Sequence, residues 1–474
     1  MITIVGAGLV GSLWAIFLRQ KNYPVQVFER RSDPRLQKIS AGRSINLVIT
    51  SRGLNALEAA KLWDEVRALA VPVYGRMIHS LSSEMTYQPY GQADECNYSI
   101  SRDSLNRFLI TQAEKLGAKF YFEHELQALS VDEKKAQFQT ADGCFTSSYQ
   151  VLFGADGAGS RVRKELATLY PTQFQEQIEW IEADYKELTL PLGLDEKSQL
   201  SAQSLHLWPR GDSMMMALAN LDGSFTVTLY LPKKRFSALT LPETILKLFQ
   251  DEFADALPLM PSVVAEFLAN PQGNLGTVRC SQWIFNDSLA LMGDAAHAMV
   301  PFFGQGMNCG FEDCTRLNDL LNDAESDTTP NWSKILKEYE TVQQPNAKAI
   351  SDMALENWVE MRDRVADKNF LFRKKLDGEL EKKYPNIYKS RYGLVTYTLV
   401  SYALAQKAGE LQTQILDELT AEGEDRLDAI SWQKADSLIT KLWQPFLEKY
   451  KIDVKRYVFK DFPKDLIAQC LGNH

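Results

Sequence analysis

The sequence predicts an α/β fold in which a domain of βαβ units is interleaved with an antiparallel-sheet domain and followed by a helical C-terminal region. Three observations lead to this prediction. A strand, a glycine turn, a helix and a second strand follow one another at the N-terminus. Short strands separated by turn residues occupy the middle of the chain. From about residue 331 onward the pattern is mostly helical.

Length and composition limit the classes of function. A chain of 474 residues with 45% hydrophobic content is longer than one core usually supports, so we expect two or three packed units. The net charge of −9 and the lack of a basic stripe argue against nucleic acid and favour a small ligand. The six cysteines form no CxxC pair and no ligand-like grouping with the five histidines, so we expect neither a metal nor a disulfide framework.

No targeting or membrane segment is visible. The chain starts directly with a strand pattern, without the charged start and cleavage site of a secretory signal. The apolar stretch from Leu394 to Ala405 is shorter than the roughly 20 residues that span a bilayer. We therefore expect a cytoplasmic protein without a membrane anchor.

The N-terminal motif places Gly6, Gly8 and Gly11 in GxGxxG spacing after the strand at 2–5, and Glu29 ends the next strand. Glycines allow a tight turn and close approach to a pyrophosphate, which the helix N-terminus faces, while the acid accepts from a ribose hydroxyl. This combination predicts a Rossmann-like dinucleotide site. The alternative is a glycine-rich turn that binds nothing.

The middle of the chain predicts a second domain. Strand patterns at 205–208, 214–218 and 224–230 are divided by Arg210-Gly-Asp and Leu221-Asp-Gly, as in an antiparallel meander. Around 281–313 the chain returns to strand, glycine-rich loop and helix. We therefore assign 1–75, 98–180 and 276–350 to the dinucleotide domain, 76–97 and 181–275 to the sheet domain, and 351–474 to the helical region. Within the helical part, Pro345 is expected to break one helix, with a charged amphipathic run from Asn346 to about Asp367.

Two further motifs follow strands. The first, Asp156-Gly157, comes after the strand at 151–153 and is by itself compatible with a simple turn. In the second, from Gly293 to Asn308, Asp294 can accept from a ribityl hydroxyl, and Gly304 and Gly306 let the backbone lie against a flat ring. A helix starting near Met307 would direct free amides at the anionic part of a reduced flavin. His297 is more simply a packed, hydrogen-bonded residue than a catalytic base.

Together these motifs resemble the FAD-containing aromatic hydroxylases of the para-hydroxybenzoate hydroxylase fold. The resemblance implies that Arg102 contacts the FAD phosphates, although a solvated surface arginine is the alternative. It also implies that Val10, Leu126 and Asn308 lie against the cofactor. The full set of predicted cofactor-binding residues is Gly6, Gly8, Val10, Gly11, Glu29, Arg102, Leu126, Asp294, Gly304, Gly306, Met307 and Asn308.

Four segments, at 42–47, 76–81, 357–362 and 392–397, resemble the members of this family that hydroxylate kynurenine. The resemblance covers about residues 1 to 400 and leaves the tail from about 406 outside. It implies that the substrate carboxylate is held by Arg76, Tyr90, Asn357 and Tyr392, with Glu360 and Met361 nearby. An arginine fork suits a carboxylate better than lysine, and positions 357, 360 and 361 share a helical face. The alternatives are an ordinary packing face and, for Arg76, a surface salt bridge.

The aryl end of the substrate needs apolar walls. By resemblance, Met216, Leu218 and Tyr230 project from the sheet, and Pro301, Phe302 and Phe303 close the side next to the flavin. Tyr230 stands where the family commonly has phenylalanine, and Phe303 where some bacterial members have histidine. A buried strand of alternating residues is the alternative for 216, 218 and 230.

The resemblance implies that L-kynurenine is hydroxylated to 3-hydroxykynurenine in tryptophan degradation. NADPH would reduce FAD, and molecular oxygen would form a flavin hydroperoxide that attacks the ring. The aniline nitrogen already activates that ring, so we assign no catalytic base. Two alternatives remain open: an FAD-dependent hydroxylase of another, phenolic acid, and a non-catalytic protein with an FAD-binding fold.

Overall fold

The computed structural model describes residues 1–36, 46–91, 95–324, 330–363 and 368–454, without the side chains of 361–363. Within these ranges the protein contains four sheets and a C-terminal group of helices. Parts of three predictions lie outside the described residues: residues 42–45 of the first resembling segment, the side chain of Met361, and the helical run beyond 363.

The strands, in chain order, are β1 (Ile2–Val5), β2 (Val25–Phe28), β3 (Asn46–Ile49), β4 (Ala70–Val73), β5 (Gly75–His79), β6 (Met85–Pro89), β7 (Asn97–Ser101), β8 (Lys119–Tyr121), β9 (Glu125–Ser130), β10 (Lys135–Thr140), β11 (Gly143–Ser148), β12 (Val151–Gly154), β13 (Glu176–Leu190), β14 (Ser204–Arg210), β15 (Ser213–Ala219), β16 (Phe225–Pro232), β17 (Gln272–Cys280), β18 (Ile284–Phe285) and β19 (Leu289–Leu291).

The α-helices are α1 (Leu9–Gln20), α2 (Ser51–Ala59), α3 (Trp63–Arg67), α4 (Arg102–Lys115), α5 (Arg161–Leu169), α6 (Lys233–Ala238), α7 (Pro242–Glu252), α8 (Val263–Ala269), α9 (Asp294–His297), α10 (Gly306–Asp323), α11 (Trp332–Asp363), α12 (Lys368–Lys383), α13 (Arg391–Tyr397), α14 (Tyr402–Leu419), α15 (Trp432–Leu438) and α16 (Gln444–Tyr450).

Two sheets carry the architecture. The first has the order β18-β19-β12-β1-β2-β8 and is parallel except for the β18–β19 pair. The second has the order β17-β13-β16-β15-β14-β5-β6 and is antiparallel except for the parallel β14–β5 pair. The two remaining sheets, β3-β7-β4 and β11-β10-β9, have three strands each. The predicted fold class is confirmed, including the βαβ unit and the meander of β14, β15 and β16.

Successive side chains on a strand point to opposite sides, so the two faces of the large antiparallel sheet pack against different parts of the protein. One face packs with α7 and α8 around an apolar cluster that includes Trp208, Phe249 and Phe267. The other face meets a smaller cluster in which Tyr230 and Phe302 lie close to Trp358 of α11. The second face is the one that borders the candidate site.

The prediction that Pro345 breaks a helix was wrong. Helix α11 runs without interruption from Trp332 to Asp363 with Pro345 inside it. An internal proline costs roughly 3 kcal/mol because one hydrogen bond is lost. Apolar side chains are buried on both sides of the proline, among them Leu336, Tyr339 and Ile350. Their burial offsets that cost, at about 1.5–3 kcal/mol for each large side chain.

Among the described residues, no helix is both long and apolar enough to cross a membrane. The stretch from Leu394 to Ala405, which is the most apolar near the C-terminus, is divided between α13 and α14. Its residues Leu394, Val395, Tyr402 and Ala405 are buried inside the protein.

Candidate active site

One cavity extends from the glycine turn after β1 to the large antiparallel sheet. Most of the predicted cofactor and substrate residues line it, although they come from segments more than 300 residues apart in the chain. The lining includes Gly6, Gly8, Val10, Glu29, Arg102, Leu126, Asp294, Gly304, Gly306 and Met307 at one end, and Arg76, Tyr90, Met216, Leu218, Tyr230, Pro301, Phe302, Phe303, Asn357 and Tyr392 at the other.

The glycines of the first motif have different tasks. Gly6 has a φ of +108°, and a Cβ there would lie 2.4 Å from the carbonyl oxygen of Ala155. At Gly11 a Cβ would lie 2.1 Å from the carbonyl oxygen of Gly6, so this glycine serves the packing of α1 and lies outside the cavity lining. Gly8 is different, because no atom lies within 4 Å of a Cβ built there. The backbone at Gly8 is therefore open to a ligand.

Glu29 is held by backbone amides at the end of β2. Its Oε2 accepts a hydrogen bond of 3.0 Å from the amide of Ala7, and its Oε1 accepts one of 3.0 Å from Arg31. The carboxylate is thereby fixed beside the glycine turn and still lines the cavity. This arrangement leaves lone pairs of Glu29 available to a ribose hydroxyl.

The Asp156-Gly157 motif forms the N-terminal cap of α5. Asp156 Oδ2 accepts hydrogen bonds from the amides of Arg161 at 2.6 Å and Val162 at 3.1 Å, and Oδ1 accepts one from the Ser160 hydroxyl. These contacts satisfy amides that have no partner inside α5. Burial raises the pKa of Asp156 above its usual value. Asp156 also lines the cavity, so the cap and the cavity wall coincide.

The motif from Gly293 to Asn308 forms a loop that ends at the N-terminus of α10. Gly304 has a φ of +66°, which favours glycine, and Gly306 and Met307 line the cavity. Asn308 is fully buried and outside the lining. Its Nδ2 donates to the carbonyl oxygens of Val48 at 2.8 Å and Gly304 at 2.9 Å. The side chain of Asn308 therefore holds the shape of the loop from behind.

Behind the same loop lies a cluster that the sequence analysis missed. His297 Nε2 lies 2.8 Å from Asp313 Oδ2, which also accepts the amide of Gly293 at 2.7 Å, and Cys309 Sγ lies 3.9 Å from His297 Nδ1. Burial would lower the pKa of His297, but Asp313 raises it well above its usual value. The expectation of no ligand-like grouping was wrong in space, because these three residues could offer ligand atoms within 4.8 Å of one another. A protonated imidazole has no lone pair for a metal, so the pair is better suited to fixing the loop, as predicted for His297.

The residues at this end of the cavity fit FAD. The open backbone at Gly8, the oriented carboxylate of Glu29 and the N-terminus of α10 form an elongated wall. Among the described residues, the carboxylate of Asp294 has no hydrogen-bond or ion-pair partner within the protein, as a ribityl-binding group requires. Arg102, at the start of α4, is exposed and borders the cavity.

At the other end, Arg76 lies between two tyrosines. Its guanidinium carbon is 5.3 Å from the ring centre of Tyr90 and 5.7 Å from that of Tyr392, and the two rings are stacked with centres 5.7 Å apart. Among the described residues, no carboxylate pairs with Arg76. Burial raises the pKa of Tyr90, so its hydroxyl keeps its proton and can donate it.

The sheet and the loop supply apolar walls beside this cluster. Phe302 lies between Tyr230 and Trp358, with ring-centre distances of 5.3 Å and 4.4 Å, while Phe303 stacks on Tyr392 at 5.9 Å. The hydroxyl of Tyr230 reaches the sulfur of Met216 at 3.5 Å. Burial raises the pKa of Tyr230, so its hydroxyl keeps its proton and this apolar wall carries no charge at neutral pH.

The helical face predicted on α11 is only partly in the site. Asn357 lines the cavity and donates to the carbonyl oxygen of Phe302 at 2.5 Å. Glu360 is outside the lining and pairs with Lys374 at 2.6 Å.

The lining also contains residues that sequence reasoning missed. Strand periodicity could have found two of them, because 226 and 228 alternate with the predicted residue Tyr230 on β16 and therefore lie on the same face of the sheet. These missed residues include Asn97, Leu205, Leu207, Thr226, Thr228 and Thr396.

Comparisons with known proteins show the family of this chain. A family model described as an FAD binding domain matches residues 1–354. The chain is 44% identical to the kynurenine 3-monooxygenase of Cytophaga hutchinsonii over 427 residues, which cover 89% of this chain and 94% of that protein. It is 40% identical to the kynurenine 3-monooxygenase of Myxococcus xanthus over 457 residues, covering 95% and 97%. The second alignment reaches well past residue 406, so the expectation that the tail lies outside the resemblance was wrong.

Solved structures show the same fold. The 2-methyl-3-hydroxypyridine-5-carboxylic acid oxygenase has a TM-score of 0.63 at 19% identity, covering 77% of this chain and 93% of its own. A probable FAD-dependent monooxygenase from Pseudomonas aeruginosa, pqsL, has a TM-score of 0.61 at 21% identity, covering 77% and 96%. At these identities the likeness concerns the fold alone.

Proposed function

Because this chain belongs to the kynurenine 3-monooxygenase family of FAD-dependent monooxygenases, we propose that it hydroxylates L-kynurenine to 3-hydroxykynurenine, using NADPH and molecular oxygen. The observation that carries the assignment of substrate is the position of Arg76. A cation without a carboxylate partner among the described residues lies in the same cavity as the glycine-lined FAD wall.

The substrate carboxylate is the proposed partner of Arg76. A buried guanidinium is costly unless it is paired, and a carboxylate meets its two parallel N–H groups in a bidentate fashion. Tyr90 and Tyr392 lie close enough to add hydroxyl donors to the same anion. Asn357, held against the carbonyl oxygen of Phe302, completes the proposed carboxylate site from α11.

The aminophenyl ring is proposed to lie between the sheet and the loop after β19. Met216, Leu218 and Phe302 are apolar, so they exclude water and keep the ring within reach of the reacting oxygen. FAD, which the backbone at Gly8 and the carboxylate of Glu29 would hold, would supply the redox and oxygen chemistry, with NADPH as the reductant and molecular oxygen as the oxidant. The protein positions the substrate ring and excludes water from it.

No protein base is assigned to the oxygen-transfer step. Among the described residues that line this half of the cavity, there is no carboxylate and no imidazole near the ring, and Tyr230 stays protonated. The aniline nitrogen of kynurenine donates electrons to the ring without losing a proton first. A phenolic substrate would gain from a base at this position, so the uncharged wall favours the aniline.

Product analysis tests this proposal. The purified protein is mixed with FAD, NADPH, air and L-kynurenine, and the products are identified by mass spectrometry. We expect 3-hydroxykynurenine together with substrate-stimulated NADPH oxidation, and no stimulation by 4-hydroxybenzoate as the matched phenolic control. NADPH oxidation stimulated by the phenolic acid but not by kynurenine would overturn the proposed substrate and leave the flavin assignment intact.

A further inference from the structure

Beside Arg76, two cavity-lining side chains carry buried oxygen atoms without a hydrogen-bond partner among the described residues. These atoms are Asn97 Oδ1 and Thr396 Oγ1. Asn97 is 4% exposed and Thr396 is 1% exposed. Buried polar atoms are rarely left unpaired, since each loses its hydrogen bonds to water without replacement. Two such oxygen atoms beside the proposed carboxylate site indicate a polar group that the ligand supplies.

The contacts of Asn97 assign its free atom as an acceptor. Its Nδ2 donates to the hydroxyl oxygen of Tyr392 at 3.3 Å, which leaves Oδ1 as the unused end of the amide. Tyr392 is also the residue that Arg76 approaches to 5.7 Å. Asn97 Oδ1 therefore borders the proposed carboxylate site and is not part of it.

Thr396 is on the same side of the site. It follows Tyr392 by four residues in α13, so the two side chains share one face of that helix. A carboxylate is also close in the chain, because Glu95 precedes Asn97 by two residues. That carboxylate is already paired with Lys389 at 2.8 Å, with the side chains 1% and 10% exposed. The acceptors left for a ligand are thus the neutral oxygens of Asn97 and Thr396.

We propose that Asn97 Oδ1 and Thr396 Oγ1 accept hydrogen bonds from the α-ammonium group of the substrate, which makes them the residues that select an α-amino acid. The inference rests on the proposed function, because it places the ammonium next to the carboxylate that Arg76 holds. The two groups of an α-amino acid are attached to one carbon, so a carboxylate at Arg76 brings the ammonium to the adjacent wall. An ammonium group has three donors and no acceptor, which matches two free acceptors.

The test compares two ligands that differ only in the ammonium group. L-kynurenine and its desamino analogue, 4-(2-aminophenyl)-4-oxobutanoate, are titrated into the FAD-loaded protein, and the dissociation constants are read from the flavin absorbance. In the unchanged protein we expect kynurenine to bind more tightly. In Asn97→Leu we expect kynurenine binding to weaken by about 10- to 100-fold while the analogue changes by less than about 3-fold, because only the charged hydrogen bond is lost.

Two further variants separate binding from folding. Thr396→Val keeps the shape of the side chain, and we expect a smaller loss, about 3- to 10-fold, again for kynurenine only. Ser99→Ala is the matched control, since Ser99 is on the same strand and donates to the carbonyl oxygen of Ala219 at 3.1 Å outside the cavity lining. Any effect of Ser99→Ala should be equal for both ligands.

The outcomes distinguish the two proposals. Equal weakening of both ligands in Asn97→Leu and Thr396→Val, or no weakening of either, would overturn the ammonium site while leaving the substrate assignment in place. If the unchanged protein binds neither ligand and does not hydroxylate kynurenine, the proposed function itself fails. Selective loss of kynurenine binding supports the ammonium site.

Discussion

Both faces of the large antiparallel sheet carry polar side chains, but the two faces differ in whether those side chains find partners within the protein. Strand β5 shows this within four residues, because Arg76 faces the cavity and His79 faces the helices behind the sheet. On the cavity face, Arg76 has no carboxylate partner among the described residues, and across the cavity Asn97 Oδ1 on β7 and Thr396 Oγ1 on α13 have no hydrogen-bond partner. On the helix face, a network of comparable size is closed within the protein.

The closed network joins two histidines, a tryptophan and an acid. His79 Nδ1 lies 2.7 Å from Asp255 Oδ2, and its Nε2 lies 2.9 Å from His206 Nδ1. His206 Nε2 contacts the carbonyl oxygen of Ser201 at 3.0 Å, and Trp208 Nε1 donates to Asp255 at 2.9 Å. Every ring nitrogen in the network has a partner. The comparison indicates that the satisfied polar groups of the helix face stabilise the fold, whereas those beside Arg76 are available to a ligand.

The largest expected effect is on the cavity face. Arg76→Met should cost about 2–5 kcal/mol of kynurenine binding, because the substrate carboxylate loses its buried partner. The melting temperature should change little or rise, since the charge that is removed is half-buried and has no carboxylate partner among the described residues. Titration of kynurenine against the flavin absorbance, with a thermal melt of the same preparation, measures both. Unchanged kynurenine binding would remove Arg76 from the site.

The opposite pattern is expected on the helix face. Asp255→Ala leaves His79 Nδ1 and Trp208 Nε1 without their partner, so the free energy of unfolding should fall by about 1–3 kcal/mol. Kynurenine affinity should change by less than about 3-fold, corresponding to under 1 kcal/mol. Denaturant unfolding and the same titration measure the two effects.

The matched control for that variant is Asp251→Ala on α7. Asp251 is 59% exposed and pairs with Lys247 at 3.5 Å, so its loss should be nearly neutral. If Asp255→Ala instead reduced kynurenine binding with stability unchanged, the proposed difference between the two faces would be wrong.

The helix face is expected to contribute a pH dependence of stability. Burial lowers the pKa of His206 to about 4, and burial also lowers that of His79. The unfolded chain therefore binds protons more readily below pH 6.5, and the contribution is fully present above pH 6.5 and lost as the pH falls toward 4. Between pH 7 and 5.5, His206 should account for about 1 kcal/mol of lost stability. Denaturant unfolding at both pH values should show this loss reduced in His206→Gln.

The smallest expected effect concerns the aryl wall. The Tyr230 hydroxyl donates to the weakly accepting sulfur of Met216, at 3.5 Å. Tyr230→Phe should therefore change the KM for kynurenine by less than about 3-fold, since little hydrogen-bond energy is lost. Steady-state NADPH oxidation measures this value. A loss of ten-fold or more would show that the hydroxyl contacts the substrate and that the wall is less inert than its contacts indicate.

The sequence predicted best what is encoded within a short stretch. GxGxxG between two strands and an alternating pattern around 205–230 specify backbone geometry through neighbouring residues, and both were found as expected. The resemblance to a known family implied that Asn308 lies against the cofactor, but its side chain packs behind the loop because Val48, 260 positions away, accepts its amide hydrogen bond. Glu360 lies outside the cavity lining, and Lys374 from the next helix pairs with it.

By itself, the sequence determined the fold class and the glycine turns of the cofactor wall, because such turns and side-chain periodicity depend on near neighbours. The residues around the substrate were implied only by the resemblance to a known family. Only the tertiary structure decided which buried polar atoms have partners. Asn97 and Tyr392 are 295 positions apart, and His79 and Asp255 are 176 apart. A hydrogen bond is satisfied by an atom that folding brings within about 3 Å, and no local pattern in the chain specifies that atom.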